Sequence, residues 1–143
     1  MLIKQLSVFI ENKPGRLAAI IDDLGKNNID ISALSLADTS EYGILRLIVS
    51  NPEEAAEILK QSGIVVKLTK VLALAMDDTP GGLSRILSVL VQNSINVDYM
   101  YAFVGKVTSK ALMIVKVSDA ELAEKALSEL DISSVNPKDI YRI

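Results

Sequence analysis

Leu6, Val8 and Ile10 recur at every second position, the period of a strand with one buried face, and Leu72, Leu74 and Met76 repeat it. After each strand comes a Pro-Gly, and the period lengthens. Leu17, Ile20, Ile21 and Leu24 share one face of a helix, as do Leu83, Ile86, Leu87 and Leu90. Pro14 and Pro80 suit a first helical position, where a missing N–H costs nothing, and Thr79 is the expected N-cap. Two strands follow in each half, at about 31–37 and 43–50, then 97–104 and 110–117. A second helix is expected to bury Ala55, Ile58 and Leu59, or Leu122, Ala126, Leu127 and Leu130. Val65–Lys70 and Asp139–Ile143 read as closing fourth strands.

The two halves are copies. VFIENKPGRL from Val8 matches LAMDDTPGGL from Leu74, placing Pro14 on Pro80, Gly15 on Gly81 and Leu17 on Leu83. Asn28-Ile29-Asp30-Ile31 falls on Ser94-Ile95-Asn96-Val97 at the same spacing of 66. Further on, Glu54, Ala56 and Glu57 align with Glu121, Ala123 and Glu124 at 67, implying one residue gained in the intervening hairpin. The reading is an α+β chain of two β-α-β-β-α-β units, 1–69 and 70–143, each an antiparallel sheet with helices on one face. No Gly- or Pro-rich linker separates them, which favours one fixed arrangement. Strands such as Ala111–Val115 are apolar on both faces, and a helix layer covers only one. A partner chain is therefore expected over the other, making a homo-oligomer, most simply a dimer.

Composition narrows the chemistry. Half the residues are hydrophobic but only two are Phe, four Tyr and none Trp, so the core is aliphatic. A formal charge of −3 leaves no electrostatic footprint for a nucleic acid. No run approaches a membrane span, and Lys4 and Glu11 interrupt the N-terminal apolar stretch, so a cytoplasmic location is expected. Without cysteine or histidine there is no thiolate nucleophile, no imidazole base and no Cys- or His-ligated metal. No metal or cofactor is expected.

The informative place is the turn from first strand to first helix: Glu11-Asn12-Lys13-Pro14-Gly15-Arg16-Leu17, and Asp77-Asp78-Thr79-Pro80-Gly81-Gly82-Leu83. A helix N-terminus offers unpaired N–H groups and a partial positive charge, suited to a carboxylate. Gly15 admits close approach to the backbone, and Asn12 carries both donor and acceptor, as a zwitterion requires. Seen once, such a turn is most simply structural. Seen at the same point of both copies, it points to a binding loop.

The strand, [Asn/Asp]-x-Pro-Gly-x-Leu, amphipathic helix and an Asn-Ile or Asp-Ile entering the next strand resemble the ACT domain across the whole chain, as two units in tandem. ENKPGRL is especially similar to the regulatory subunit of acetohydroxyacid synthase and to the regulatory domain of phosphoglycerate dehydrogenase. The resemblance implies a ferredoxin-like fold and a free L-amino acid as ligand, held where two units pair. The Pro-Gly loop of one unit and the start of the second strand of its neighbour would contact it. The family's loop asparagine falls on Asn12 and Asp78, and its strand asparagine on Asp30 and Asn96. One site would therefore join Asn12, Lys13, Pro14, Gly15, Arg16 and Leu17 to Ile95, Asn96 and Val97. A second, weaker site would join Asp78, Pro80, Gly81, Gly82 and Leu83 to Ile29, Asp30 and Ile31. There two carboxylates meet, which disfavours a ligand carboxylate.

Other features weigh toward structure. Tyr99, Tyr101 and Phe103 alternate on one strand as packing residues, and Glu53, Glu54, Asp119 and Glu121 complement helix N-termini. The expected function is a non-catalytic amino-acid sensor that reports ligand through changed association. The alternative is a regulatory subunit of a separate amino-acid biosynthetic enzyme, since 143 residues leave no room for a catalytic domain. An acylphosphatase would need an arginine-bearing phosphate loop, and an RNA-recognition motif would need aromatics on its central strands. SVFIE and LRLIV supply only Phe9.

Overall fold

A computed structural model describes residues 1–38, 40–103, 110–129, 135 and 137–141. Among these residues six strands, β1 (Leu2–Glu11), β2 (Ile31–Asp38), β3 (Tyr42–Val49), β4 (Val65–Asp77), β5 (Val97–Ala102) and β6 (Lys110–Val117), accompany five helices. These are α1 (Arg16–Lys26), α2 (Pro52–Gln61), α3 (Gly82–Gln92), α4 (Ala120–Ser128) and α5 (Pro137–Tyr141). The chain divides into two compact units. The first is Lys4–Thr69 with Ile140 and Tyr141; the second is Met1–Ile3 with the described residues of 70–139. β4 runs through 13 residues without a Gly or Pro and gives one part to each unit.

In the first unit the strand order is β2-β3-β1-β4, with β3 antiparallel to both β1 and β2. Leu6, Val8 and Ile10 of β1 pack with Leu45, Leu47 and Val49 of β3 against Ile20 and Leu24 of α1 and Ala55, Ala56 and Leu59 of α2. In the second unit β6 lies between β4 and β5, antiparallel to both. Its core joins Leu72 and Leu74 to Ile86, Leu90, Val115, Val117, Ala123 and Leu127. These are the two α+β, ferredoxin-like cores expected, each with its helix pair on one sheet face.

Several local expectations are corrected. Neither proline opens a helix. Gly15 (φ 85°, ψ −14°) and Gly81 (φ 89°, ψ −10°) are the N-caps, and each follows its proline in a four-residue turn. Arg16 N–H donates to the Lys13 carbonyl at 3.2 Å and Gly82 N–H to that of Thr79 at 3.0 Å, closing type II turns. Such a turn takes proline second and needs positive φ third, so Pro-Gly is consumed by the turn and Thr79 caps nothing. The copies also drift further apart than aligned. The N-cap side chains are Asn51 on α2 and Asp119 on α4, and buried Ala55 and Leu59 correspond to Ala123 and Leu127. All three pairs are spaced by 68, so two residues were gained, and α4 turns Leu122 outward (42 % exposed) instead of burying it. Leu130 lies outside the described residues. Asp119 accepts from the Leu122 N–H at 2.9 Å. Asp119→Ala should therefore cost about 1 kcal/mol in a urea titration.

The second unit does not end on a C-terminal strand. Pro137–Tyr141 is helical, residues 142 and 143 lying outside the described set, because proline cannot donate to a ladder but suits a first helical turn. Beside β4 stands the chain's beginning instead. Met1 and Ala73 exchange both backbone hydrogen bonds (2.9 and 3.3 Å), an antiparallel pair, and Leu2 N–H donates to Glu124 at 2.9 Å. β5 stops at Ala102, two residues short of the expected end, and residue 104 is not described. Leu112 and Ile114 of β6 are 6 % and 0 % exposed within the single chain. The two-faced apolar character of that strand therefore requires no partner chain.

Candidate functional site

The first loop is fixed from both sides. Asn12 N–H donates to the Glu41 carbonyl at 2.9 Å, and Lys13 N–H to that of Glu11 at 2.9 Å. The type II turn then delivers Gly15, whose carbonyl takes the first helical bond, from Ala19 at 3.0 Å. Asn12, Lys13, Pro14, Gly15 and Arg16 are all exposed, while Leu17 tucks against the core. Lys13 and Arg16 flank Glu11, with Lys13 Nζ at 3.0 Å and Arg16 at 3.6 Å. The hydrogen bond from Lys13 and the surrounding positive charge hold the Glu11 carboxyl below its ordinary range. The ionised form prevails at neutral pH, and the pairing is lost only as pH falls through that lowered value.

The second loop has the same turn but different chemistry. Gly82 stands where the first loop carries Arg16, and a Cβ there would lie 2.3 Å from the Asp77 carbonyl oxygen. The position is closed to any side chain. Asp77 and Asp78 are exposed, with Lys110 4.0 Å from Asp77.

The other expected contacts come from the helix ends. α1 and α3 each close in a Schellman motif. Ile29 N–H reaches back to Leu24 at 3.0 Å and Ile95 N–H to Leu90 at 2.9 Å, with Asn28 (φ 59°) and Ser94 (φ 55°) left-handed before them. Ile29 and Ile95 are thereby buried. Asp30 and Asn96 follow, exposed, each held by a serine: Asp30 N–H donates to Ser50 Oγ at 3.1 Å and Asn96 N–H to Ser118 Oγ at 3.2 Å. Strand register shows what a single unit brings together. Glu11, just before the first loop, stands opposite Tyr42, whereas Ile31 stands opposite Val49 at the other end of β3. Likewise Asp77 faces Lys110 and Val97 faces Val117. Within either unit the loop and the second-strand residues occupy opposite ends of the sheet.

Each loop borders a depression in its own unit. Beside the first is a cavity of about 350 Å³ lined by Phe9, Ile10, Glu11, Arg16, Ile20, Tyr42, Gly63, Ile64 and Val65. Beside the second is a broader, open groove of about 720 Å³ lined by the loop and by the Leu83–Leu87–Val91 side of α3. Among the described residues that line that groove the charged ones are Asp77 and Asp78. The sequence reading missed Phe9, Tyr42 and Val65. Their signal was large apolar side chains at strand ends, but only register gathers them. Among the described residues no cluster of three acidic groups is placed to hold a metal, and no helix is long and apolar enough to cross a membrane.

The family model described as an ACT domain pair matches residues 1–143. A crystal structure of a Bacteroides thetaiotaomicron protein is 34 % identical, covers 100 % of this chain and 98 % of its own, and superposes with a TM-score of 0.92. The ligand-free regulatory subunit of aspartate kinase from Thermus thermophilus is 15 % identical over 90 % of this chain and 94 % of its own, with a TM-score of 0.60. E. coli aspartokinase III, solved with lysine and aspartate, gives 18 % identity and a TM-score of 0.51, covering 91 % of this chain and 32 % of that one. At such identities these two show the shared fold. A comparison with curated protein sequences gave no match.

Proposed function

Because the chain belongs to the ACT domain pair family, we propose that it is a non-catalytic regulatory protein that binds a free L-amino acid through its first Pro-Gly loop. The observation that carries this reading is the contrast between the loops. The first offers Asn12, an open glycine turn at the start of α1 and the cation Arg16; the second offers two carboxylates and a glycine that no side chain can replace. A ligand carboxylate is attracted by the first set and repelled by the second. Asn96 is proposed as the second polar contact, with Ile95 and Val97 beside it, following the family's pattern of loop plus strand start. The Asp78–Asp30 combination is proposed to be silent.

The test is a thermal-shift screen against the proteinogenic amino acids. A ligand at about 100 times its Kd should add roughly 2.7 kcal/mol of stability. Asn12→Ala and Asn96→Ala should abolish that shift, while Asp78→Ala should retain it. Equal losses at all three would sink the asymmetry, and silence toward every amino acid would sink the function.

The resemblance of ENKPGRL to the acetohydroxyacid synthase regulatory subunit supports a narrower reading, in which the ligand signal passes to a separate biosynthetic enzyme. Ligand-dependent co-purification of such an enzyme distinguishes it from a sensor that responds by self-association, as a homodimer.

A further inference from the structure

The cavity beside the first loop has its charge on one side and its apolar surface on the other. Glu11 and Arg16, 3.6 Å apart, are its charged residues. Ile10 and Ile20 form a buried floor, and Ile64 is a half-buried wall. Phe9, Tyr42 and Val65 stand at the rim, 56, 50 and 71 % exposed. The volume, about 350 Å³, lies at the small end of ligand pockets, matching one amino acid better than a nucleotide.

Resting on the reading that the first unit binds an amino acid, we propose that this cavity selects α-amino acids with apolar side chains, aliphatic or aromatic. The ligand carboxylate pairs with the Arg16 guanidinium and its ammonium with Glu11, two charge-assisted contacts of opposite sense on neighbouring groups. Lys13, whose side chain is 67 % exposed, can turn to solvent and leave the half-buried Glu11 to the ligand ammonium. The side chain then covers Ile10, Ile20 and Ile64 and brings Phe9, Tyr42 and Val65 out of water. A lysine or aspartate side chain would be desolvated against the same isoleucines with no charged partner on that side. The groove of the second unit is a poorer match, since among the described residues its lining carries two carboxylates and no basic side chain.

Isothermal titration of the full chain with L-leucine, L-phenylalanine, L-lysine and L-aspartate tests the proposal. Leucine or phenylalanine should bind at least roughly tenfold tighter than lysine and aspartate. Val65→Asp and Tyr42→Ala, both at exposed positions, should weaken that binding roughly tenfold with an unchanged circular dichroism spectrum. Arg16→Gln should weaken it by a similar factor. Tighter binding of lysine or aspartate overturns the selectivity while leaving the amino-acid function standing. So does leucine or phenylalanine binding that ignores Val65→Asp and Tyr42→Ala, because the ligand then sits elsewhere. Silence from leucine and phenylalanine also overturns it, and the thermal-shift screen decides the function separately.

Discussion

Gly82→Arg, which gives the second loop the residue that the first loop carries at the matching place, is expected to destabilise the protein by about 2–3 kcal/mol and to create no second binding site. The cause is geometric. A Cβ at position 82 would stand 2.3 Å from the Asp77 carbonyl oxygen, a backbone atom that cannot swing aside as a side-chain tip would. In the first loop the Glu11 carbonyl accepts instead from the Lys13 N–H, and Arg16 occupies the helix start without conflict. The reciprocal change, Arg16→Gly, removes a side chain that is 59 % exposed and should cost about 0.5–1 kcal/mol, mostly as backbone entropy. Urea unfolding of the two variants measures the difference. A Gly82→Arg midpoint equal to that of the unaltered protein would show that the loop relaxes freely, and the structural basis of the asymmetry would fail. Gly81→Ala is a useful companion: φ 89° disfavours any Cβ by about 1–2 kcal/mol even where space is open.

The duplication and the helix-and-strand order as far as α4 were legible because both leave periodic traces. Leu6-Val8-Ile10 and Leu17-Ile20-Ile21-Leu24 each declare a buried face, and the structure buries or half-buries every one. Pro-Gly was ambiguous, because proline is welcome both at a first helical position and at the second place of a type II turn. Only the positive φ of Gly15 decides between them. The spacing of α2 and α4 was misjudged because Glu54/Glu121 and Ala56/Ala123 match as letters, whereas capping and burial pair Asn51 with Asp119 and Ala55 with Ala123. The cavity was illegible for a different reason. Phe9, Tyr42 and Val65 are far apart in sequence and meet through strand register, which local patterns do not carry. Burial of Leu112 and Ile114 within one chain was illegible too, since a run apolar on both faces says nothing about what covers each face.

The end of the chain provides the sharpest test of the fold. Ile140 is fully buried and lies with the first unit, although sequence order makes it the tail of the second copy. Ile140→Ala should remove about 2–4 kcal/mol, the usual range for truncating a fully buried isoleucine. Where the loss appears matters more than its size. Native-state hydrogen exchange should show faster opening of β1, β3 and α2, the elements that share a unit with Ile140. Val135, 6 % exposed and counted with the second unit, is the control, and Val135→Ala should loosen β6 and α4 instead. A closing strand of the second copy would give the opposite result, with Ile140→Ala speeding exchange in residues 110–117 and leaving 42–49 untouched. That outcome would return Ile140 to the second unit. The expected one makes the termini exchanged parts: Met1–Ile3 serves the second unit, and Ile140 the first. Neither unit is then complete without a segment from the far end of the chain, so cutting the chain at the boundary between the copies should yield two fragments, each less stable than it is in the intact protein.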